Sequence, residues 1–317
     1  MSSDKTVTGA PGTTGTTGTT SSGASRLGVP KTYKLYVGGA FPRSESGRTY
    51  VVRDAAGGFW ANAALASRKD VRDAVVAARK GARAWARATP YNRGQVIYRI
   101  AEMLDGRRSE LVELLVTGGA ARAAAVAEVD ASVDRLVHHA GWTDKLGAVL
   151  GSTNPVSAPY FSYSAPEPTG VVGVLAPTGA PLLGLVSVLA PVLATGNASV
   201  VVAAQPDACA AVTFAEVLAT SDVPAGVVNV LTGSVAELAP VLASHGDVDA
   251  LDLTGAPDDL RVALEQAAAE TVKRVFVPRG VPDFTAEPGL LRLRAFLETK
   301  TVWHPTGALS LSGGGGY

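Results

Sequence analysis

Apolar positions in the middle of the chain form short unbroken runs, which alternate with longer stretches of helical spacing. Runs that are apolar throughout, without alternation, are typical of strands in a parallel sheet covered on both faces. The order strand–helix–strand, repeated with short turns, predicts an α/β fold with a doubly wound parallel sheet. The predicted strands are 170–177 (GVVGVLAP), 198–204 (ASVVVAA), 227–231 (VVNVL), 250–254 (ALDLT) and 273–277 (KRVFV). Helices are predicted over 181–193, 207–220, 234–244 and 257–270.

Upstream of this region the apolar spacing is that of amphipathic helices. Val71, Ala74, Val75 and Ala78 recur at helical spacing, and Asp70 before them predicts a helix that it caps. Two further helices are predicted over 92–116 and 120–146, and the alternating segment 34–39 predicts a strand.

The two ends of the chain have a different composition. The Thr/Ser/Gly-rich residues 1–30 cannot bury enough surface to offset their ordering entropy and are predicted to form a disordered leader. The sheet domain then spans 31–278 and includes a hairpin over 147–168. Residues 279–317 hold a connector, a short helix over 290–297, a strand over 299–303 and a flexible tail.

Charge and cysteine content narrow the classes of function. The chain has 28 Lys and Arg against 28 Asp and Glu, so its net charge of zero argues against nucleic acid or an anionic membrane as a partner. A neutral chain is prone to associate, as a subunit of an assembly does. One cysteine, and no apolar run long enough to cross a bilayer, indicate a soluble cytoplasmic protein.

Several long segments resemble the aldehyde dehydrogenase superfamily, in order and nearly without gaps from Lys34 to Val277. They include YKLYVGGAF, AGWTDKL, PYFSYSAPEPTGVVGVLAP, LAPVLATGNASVVV, VPAGVVNVLTG and ASHGDVDALDLTG. RLRAFLETKTVWHPTG resembles the family's last strand. The resemblance implies an NAD-binding-like Rossmann domain with a small oligomerisation hairpin. The family inserts its catalytic domain between the positions of Val277 and Leu290, where this chain has only a connector.

The resemblance also implies that the catalytic groups are missing. The family's oxyanion-holding Asn, in its Pro-Trp-Asn-Phe-Pro stretch, is replaced by Gly179, which has no side-chain donor. Its general-base Glu is replaced by Pro278, and its Cys nucleophile belongs to the missing domain. No catalytic residue is therefore expected, which makes the chain a pseudoenzyme.

The cofactor positions implied by the resemblance are degenerate as well. Val202 and Gln205 stand where the family's Lys and Glu hold the adenosine ribose. Gly233 is kept in the next turn, while Ala256 replaces a Ser in the following one. The vestigial pocket consists of Pro177, Thr178, Val202, Gln205, Gly233, Thr254, Gly255 and Ala256. No cofactor is expected to bind, with NAD(P) as the weaker alternative.

The remaining reactive side chains have plain structural interpretations. Cys209, among alanines on a predicted helix, is expected to be a small buried residue. His138 and His139 are adjacent on a helix, so they point apart, and no metal site is expected.

Assembly is the favoured function. In the family, the hairpin projects and the last strand pairs across subunits, and both segments survive here. The expected interface residues are Tyr160, Phe161, Tyr163, Thr299, Thr301 and Trp303. The leading hypothesis is an inactive structural or regulatory subunit, bound to a full-length aldehyde dehydrogenase or to itself. The alternatives are an NAD(P) sensor, and an oxidoreductase that is active only within a complex.

Overall fold

A computed structural model describes residues 29–306 of the chain. The tail from residue 307, and all but the last two residues of the leader, lie outside the described residues. In the first half the elements are β1 (Thr32–Tyr33), β2 (Thr49–Arg53), β3 (Phe59–Ala64), α1 (Arg68–Arg87), α2 (Pro90–Gly106), α3 (Arg108–Thr117), α4 (Arg122–Ala140), α5 (Leu146–Leu150), β4 (Ser152–Asn154) and β5 (Tyr160–Pro168). In the second half they are β6 (Val171–Leu175), α6 (Leu183–Ala194), β7 (Ala198–Val202), α7 (Ala208–Ala219), β8 (Val228–Leu231), α8 (Val235–Ser244), β9 (Ala250–Asp252), α9 (Asp258–Ala269), β10 (Arg274–Phe276), α10 (Leu291–Ala295) and β11 (Leu297–Pro305).

Five parallel strands form the central sheet in the order β10-β9-β6-β7-β8. Every residue of β6 and β7 is buried, as the unbroken apolar runs predict. Apolar residues of α1, α8 and α9 cover one face of the sheet, and those of α6 and α7 cover the other. The predicted doubly wound α/β fold is confirmed, and burial of a Val or Leu side chain in it contributes roughly 1.5–3 kcal/mol.

The start of the chain differs from its predicted strand over 34–39. The strand is Thr32–Tyr33, which pairs in parallel with β3, and β3 pairs antiparallel with β2. Farther on, Tyr36 exchanges two backbone hydrogen bonds of 2.9 and 2.7 Å with Val230 of β8. Gly38 and Gly39 then have positive φ and reverse the chain, so a continuous strand cannot form.

The cap of the first helix lies three residues before the predicted one. Ser67 is its N-cap, and its hydroxyl accepts from the N–H groups of Lys69 and Asp70. The carboxylate of Asp70 accepts in return from the Ser67 N–H at 2.7 Å. Asp70 is therefore the third helical residue of a capping box and not the cap itself.

Each of the two long helices predicted next is interrupted. The helix predicted over 92–116 divides at Arg107, whose φ of −105° and ψ of 16° are not helical. Its guanidinium binds Glu110 and Glu216, each at 2.8 Å, which holds this break against α7. The helix predicted over 120–146 ends at Ala140, and turns connect it to α5.

A second, antiparallel sheet has the order β11-β5-β4. β11 pairs with β5 of the same chain over nine positions, from Leu297 with Pro168 to Pro305 with Tyr160. Because β5 of the same chain occupies one edge of β11, the expected pairing across subunits stays a prediction for the outer edge of β11. β11 is also longer at both ends than the predicted 299–303, since the pairing with β5 extends it.

No helix among residues 29–306 is both long enough and apolar enough to cross a membrane.

Candidate functional site

The carboxyl ends of three neighbouring strands surround a cavity of about 700 Å³, which we call the strand-end cavity. Its residues come from the turn after β6, the turn after β9 and the segment after β10. Among the predicted site residues it includes Pro177, Thr178, Gly179, Thr254, Gly255, Ala256 and Pro278. The fold thus brings together the positions at which the resemblance predicts the oxyanion Asn, the general base and one cofactor turn. The crevice outside the carboxyl ends of the strands is the usual ligand-binding position in this class of fold.

Position 255 requires a glycine, because two backbone segments approach each other closely there. Its N–H donates to the carbonyl oxygen of Leu175 at 2.9 Å. A Cβ at this position would lie 2.0 Å from the carbonyl oxygen of Ala176, which no side chain permits. The turn after β9 is therefore held tightly against the end of β6.

The two degenerate catalytic positions offer no catalytic group to the cavity. Gly179 has a φ of +85°, and no atom lies within 4 Å of the position a Cβ would take. Neither Gly179 nor Pro278 carries a side-chain donor or a titratable group. These two positions therefore cannot supply an oxyanion donor or a base from their side chains.

The other three cofactor positions do not line this cavity. Val202 is fully buried in the sheet. Gln205 begins an exposed single turn of 3₁₀ helix, Gln205–Asp207, and its carbonyl accepts from the Tyr50 hydroxyl at 3.0 Å. Gly233 has a φ of +144°, and a Cβ there would lie 3.2 Å from the Ala66 nitrogen.

A buried ion pair occupies the end of β9, and the sequence analysis missed it. The fully buried Asp252 binds the guanidinium of Arg292 from α10. The hydroxyl of Thr254 contacts the same carboxylate and accepts from Arg292 at 2.8 Å. Burial raises the pKa of Asp252, and the charge of Arg292 opposes that rise. A polar residue inside the apolar run ALDLT was the available signal, because a buried carboxylate needs a partner.

The groups left at these turns do not fit the ribose end of NAD(P). Val202 has no donor for a ribose hydroxyl, and the Thr254 hydroxyl is committed to Asp252 and Arg292. Glu237 lies in the first turn of α8, where a carboxylate competes with a phosphate for the helix N-terminus. No chemical step can therefore be assigned to a dinucleotide from these residues.

Cys209 and His139 have the environments of core residues. Cys209 is buried, and burial raises its pKa to about 12, so the thiolate needed for nucleophilic attack does not form at neutral pH. Burial lowers the pKa of His139 to about 4. Within residues 29–306, no group of three or more His, Cys, Asp or Glu side chains could hold a metal ion.

The predicted interface residues all lie on the β11-β5-β4 sheet, and most are exposed. Tyr160 (41% exposed) and Trp303 (57%) share one face, with ring centroids 5.9 Å apart. Phe161 (49%) and Tyr163 share the opposite face, with centroids 5.8 Å apart. Thr299 and Thr301 are exposed on the Trp303 face, where Thr301 bonds Ser164 at 2.8 Å. Both faces therefore present aromatic side chains to solvent.

The chain belongs to the aldehyde dehydrogenase family, whose model matches residues 41–284. It is 32% identical over 254 residues to the putative aldehyde dehydrogenase DhaS of Bacillus subtilis (strain 168). That alignment covers 78% of this chain and 50% of the relative. The resemblance found in the sequence is thus confirmed, and the chain spans about half the length of this curated relative.

Solved structures give the same result. The NAD+ complex of aldehyde dehydrogenase from Bacillus cereus matches with a TM-score of 0.72 and 28% identity, over 77% of this chain and 50% of that one. HpcC from Thermus thermophilus matches with a TM-score of 0.72 and 28% identity, over 77% and 47%. The fold is therefore that of about half an aldehyde dehydrogenase chain.

Proposed function

We propose that this chain is a catalytically inactive aldehyde dehydrogenase homologue that serves as a structural or regulatory subunit. Its partner is a full-length aldehyde dehydrogenase or, failing that, a second copy of itself. Gly179 and Pro278 at the two catalytic positions support the loss of activity. The burial of Cys209, the only cysteine of the chain, supports it as well, because no other thiol could replace the nucleophile.

The exposed β11-β5-β4 sheet is the observation that carries the proposal of assembly. Exposed aromatic side chains grouped on a sheet need a covering surface, and such patches mark protein–protein interaction sites. Here Trp303 is exposed on one face and Phe161 on the other. β11 also forms an outer edge of its sheet, with backbone groups available to another chain. A partner that covers this sheet would satisfy both needs.

The test is the mass of the protein purified gently from its native host, with its subunits identified by mass spectrometry. We expect a full-length aldehyde dehydrogenase to co-elute in a fixed ratio. Recovery of the chain as a monomer at every concentration tested would overturn the proposal. Recovery of a homo-oligomer would support the role in assembly and would identify the partner as a second copy of this chain.

An NAD(P) sensor without turnover is the second candidate. The strand-end cavity favours it, because its volume of about 700 Å³ lies beside Thr254, Gly255 and Ala256, one of the turns where the resemblance places the cofactor. Calorimetry with millimolar NAD and NADP tests this candidate separately from assembly. Absence of heat from both dinucleotides would remove it.

Activity within a complex is a third candidate, since the family consists of oxidoreductases. It requires the partner to provide the thiol and the base. The assay compares aldehyde-dependent NADH formation by the purified complex with that of the partner alone. Equal rates per partner active site would leave this chain with a non-catalytic role.

A further inference from the structure

A second cavity, of about 540 Å³, lies between α4, α6 and the connector that joins β10 to α10. We call it the arginine cavity. It shares part of the connector with the strand-end cavity, including Pro278 and Phe284. Phe276, Val277 and Phe284 give it apolar walls. Its polar wall consists of Arg135, His139, Ser187 and Arg292.

Two polar groups on this wall, the buried hydroxyl of Ser187 and one ring nitrogen of His139, have no hydrogen-bond partner among the described residues. Ser187 is only 3% exposed, and its hydroxyl has no hydrogen-bond partner among the described residues. His139 is 2% exposed, and its Nδ1 donates to the carbonyl oxygen of Arg135 at 2.9 Å. The lone pair of this ring is then on Nε2, for which the described residues provide no donor. A buried hydroxyl without a partner, such as that of Ser187, is rare in folded proteins and calls for an explanation.

The guanidinium of Arg135 has no carboxylate partner among the described residues. Its Nη2 donates to the carbonyl oxygens of Phe284, at 2.6 Å, and Ala286, at 2.9 Å. Partial burial lowers the pKa of Arg135, as expected for a cation that is partly withdrawn from water. The neighbouring Arg292 differs, because Asp252 neutralises it. Arg135 is therefore the inner cation that lacks an anion.

The other charges around the cavity lie at its rim. Arg279, Asp283 and Glu287 line its opening, and all three are exposed. Asp283 already accepts from the N–H of Thr285 at 2.9 Å. Solvent and salt screen such exposed charges far more than the inner guanidinium. The inner wall is consequently the part that selects a charged ligand.

We propose that the arginine cavity binds a small organic carboxylate. The carboxylate pairs with Arg135, through the guanidinium nitrogens that the connector carbonyls leave free. The apolar body of the ligand lies against Phe276, Val277 and Phe284. Ser187 and His139 provide a donor and an acceptor for a further polar group, such as the hydroxyl of a hydroxy acid. This site does not depend on the proposed assembly.

The first experiment compares two probes of equal shape on the full wild-type chain. Hexanoate and hexanamide are titrated separately by calorimetry at pH 7. We expect hexanoate to bind one site per chain at least about tenfold more tightly than hexanamide, because only the carboxylate forms a charge-assisted bond. Equal affinities, or no binding of either probe up to its solubility limit, would overturn the proposal.

Variants then locate the site. Arg135→Gln should abolish the preference for hexanoate, and Arg135→Lys should keep part of it, since the positive charge remains. Arg83→Gln on the exposed face of α1 is the matched control and should bind as the wild type does. An Arg135→Gln protein that binds hexanoate with wild-type affinity would contradict the assignment. If the Arg135→Gln variant does not fold, the comparison of hexanoate with hexanamide on the wild type still tests whether the chain binds a carboxylate.

Discussion

The two sheets of this molecule differ in what surrounds them. Apart from its edge strand β10, the five-stranded sheet is buried on both faces, and its strands β6 and β7 expose nothing. In the β11-β5-β4 sheet, by contrast, most residues of β11 are exposed, and aromatic side chains lie on both faces. The first sheet is stabilised by its own chain, whereas we infer that the second depends on a partner. Substitutions in the two sheets should therefore affect different measurements: unfolding for the first, assembly for the second.

The largest effect should come from Arg292→Leu, because Asp252 is fully buried at the end of β9. Removing one partner of a buried ion pair leaves an uncompensated charge, which costs about 3–5 kcal/mol. Urea denaturation measures the expected fall in the free energy of unfolding. The double variant Asp252→Asn with Arg292→Leu serves as control and should regain most of the loss. A loss below about 1 kcal/mol for Arg292→Leu would mean that Asp252 is not held as an ion pair.

The second effect is a pH dependence of the free energy of unfolding, which arises in a helix that lies over the five-stranded sheet. His139 belongs to α4, which packs on α6 over one face of that sheet. Burial lowers its pKa to about 4, against 6.5 in the unfolded chain. Between these values the unfolded state binds more protons, so the free energy of unfolding falls as the pH drops from 6.5 toward 4. The full shift corresponds to about 3 kcal/mol.

The titration of Asp207 changes the free energy of unfolding with pH in the opposite direction. The test of His139 therefore needs a reference protein. Burial raises the pKa of Asp207 to about 6, and its contribution to stability is therefore lost as the pH rises through 6. Comparing wild type with His139→Gln between pH 4.5 and 7 removes this shared contribution. We expect the wild type to lose about 2–3 kcal/mol relative to the variant on acidification. A constant difference between the two proteins would show that His139 titrates normally.

The sequence predicts the covered sheet much better than the exposed one. Apolar runs identify the five parallel strands, most clearly β6 and β7, where burial on both faces selects such residues at every position. β2 and β3 were missed, since short strands like TYVVR and FWANAA depend on pairing with each other more than on local pattern. The bounds of β11 are likewise set by pairing with β5, which is about 130 positions away in the sequence.

Long-range polar contacts were the other feature that the sequence could not predict. Nothing local to LRLRA shows that Arg292 reaches Asp252, because that contact depends on the path of the connector. The same connector brings Phe284 and Ala286 to Arg135, which creates the arginine cavity. The positions of Gly179 and Pro278 were predictable from the resemblance, but their meeting in one cavity required the fold.

The third effect concerns assembly and shows which face of the exposed β11-β5-β4 sheet contacts the partner. Trp303→Ser alters one face and Tyr163→Ser the other, and neither side chain belongs to the buried core. We expect the variant on the contacting face to weaken association at least about tenfold, as truncating an interface aromatic does. Both variants should unfold within about 0.5 kcal/mol of the wild type. Tyr91→Ser, an exposed aromatic on α2, is the control; unchanged association of all three proteins would exclude both faces.

The smallest effect should come from Lys300→Ala, which removes an ion pair from the exposed sheet. Lys300 binds Glu167 across β11 and β5 at 2.9 Å, and both side chains are about half exposed. This contact, like that of Arg292 with Asp252, pairs a cation with a carboxylate, but water solvates both groups once the pair is broken. We therefore expect no measurable change in the midpoint of urea denaturation, where Arg292→Leu gives the largest one. A midpoint shift comparable to that of Arg292→Leu would mean that Lys300 and Glu167 are covered in solution, and that the exposed sheet is already packed against a partner.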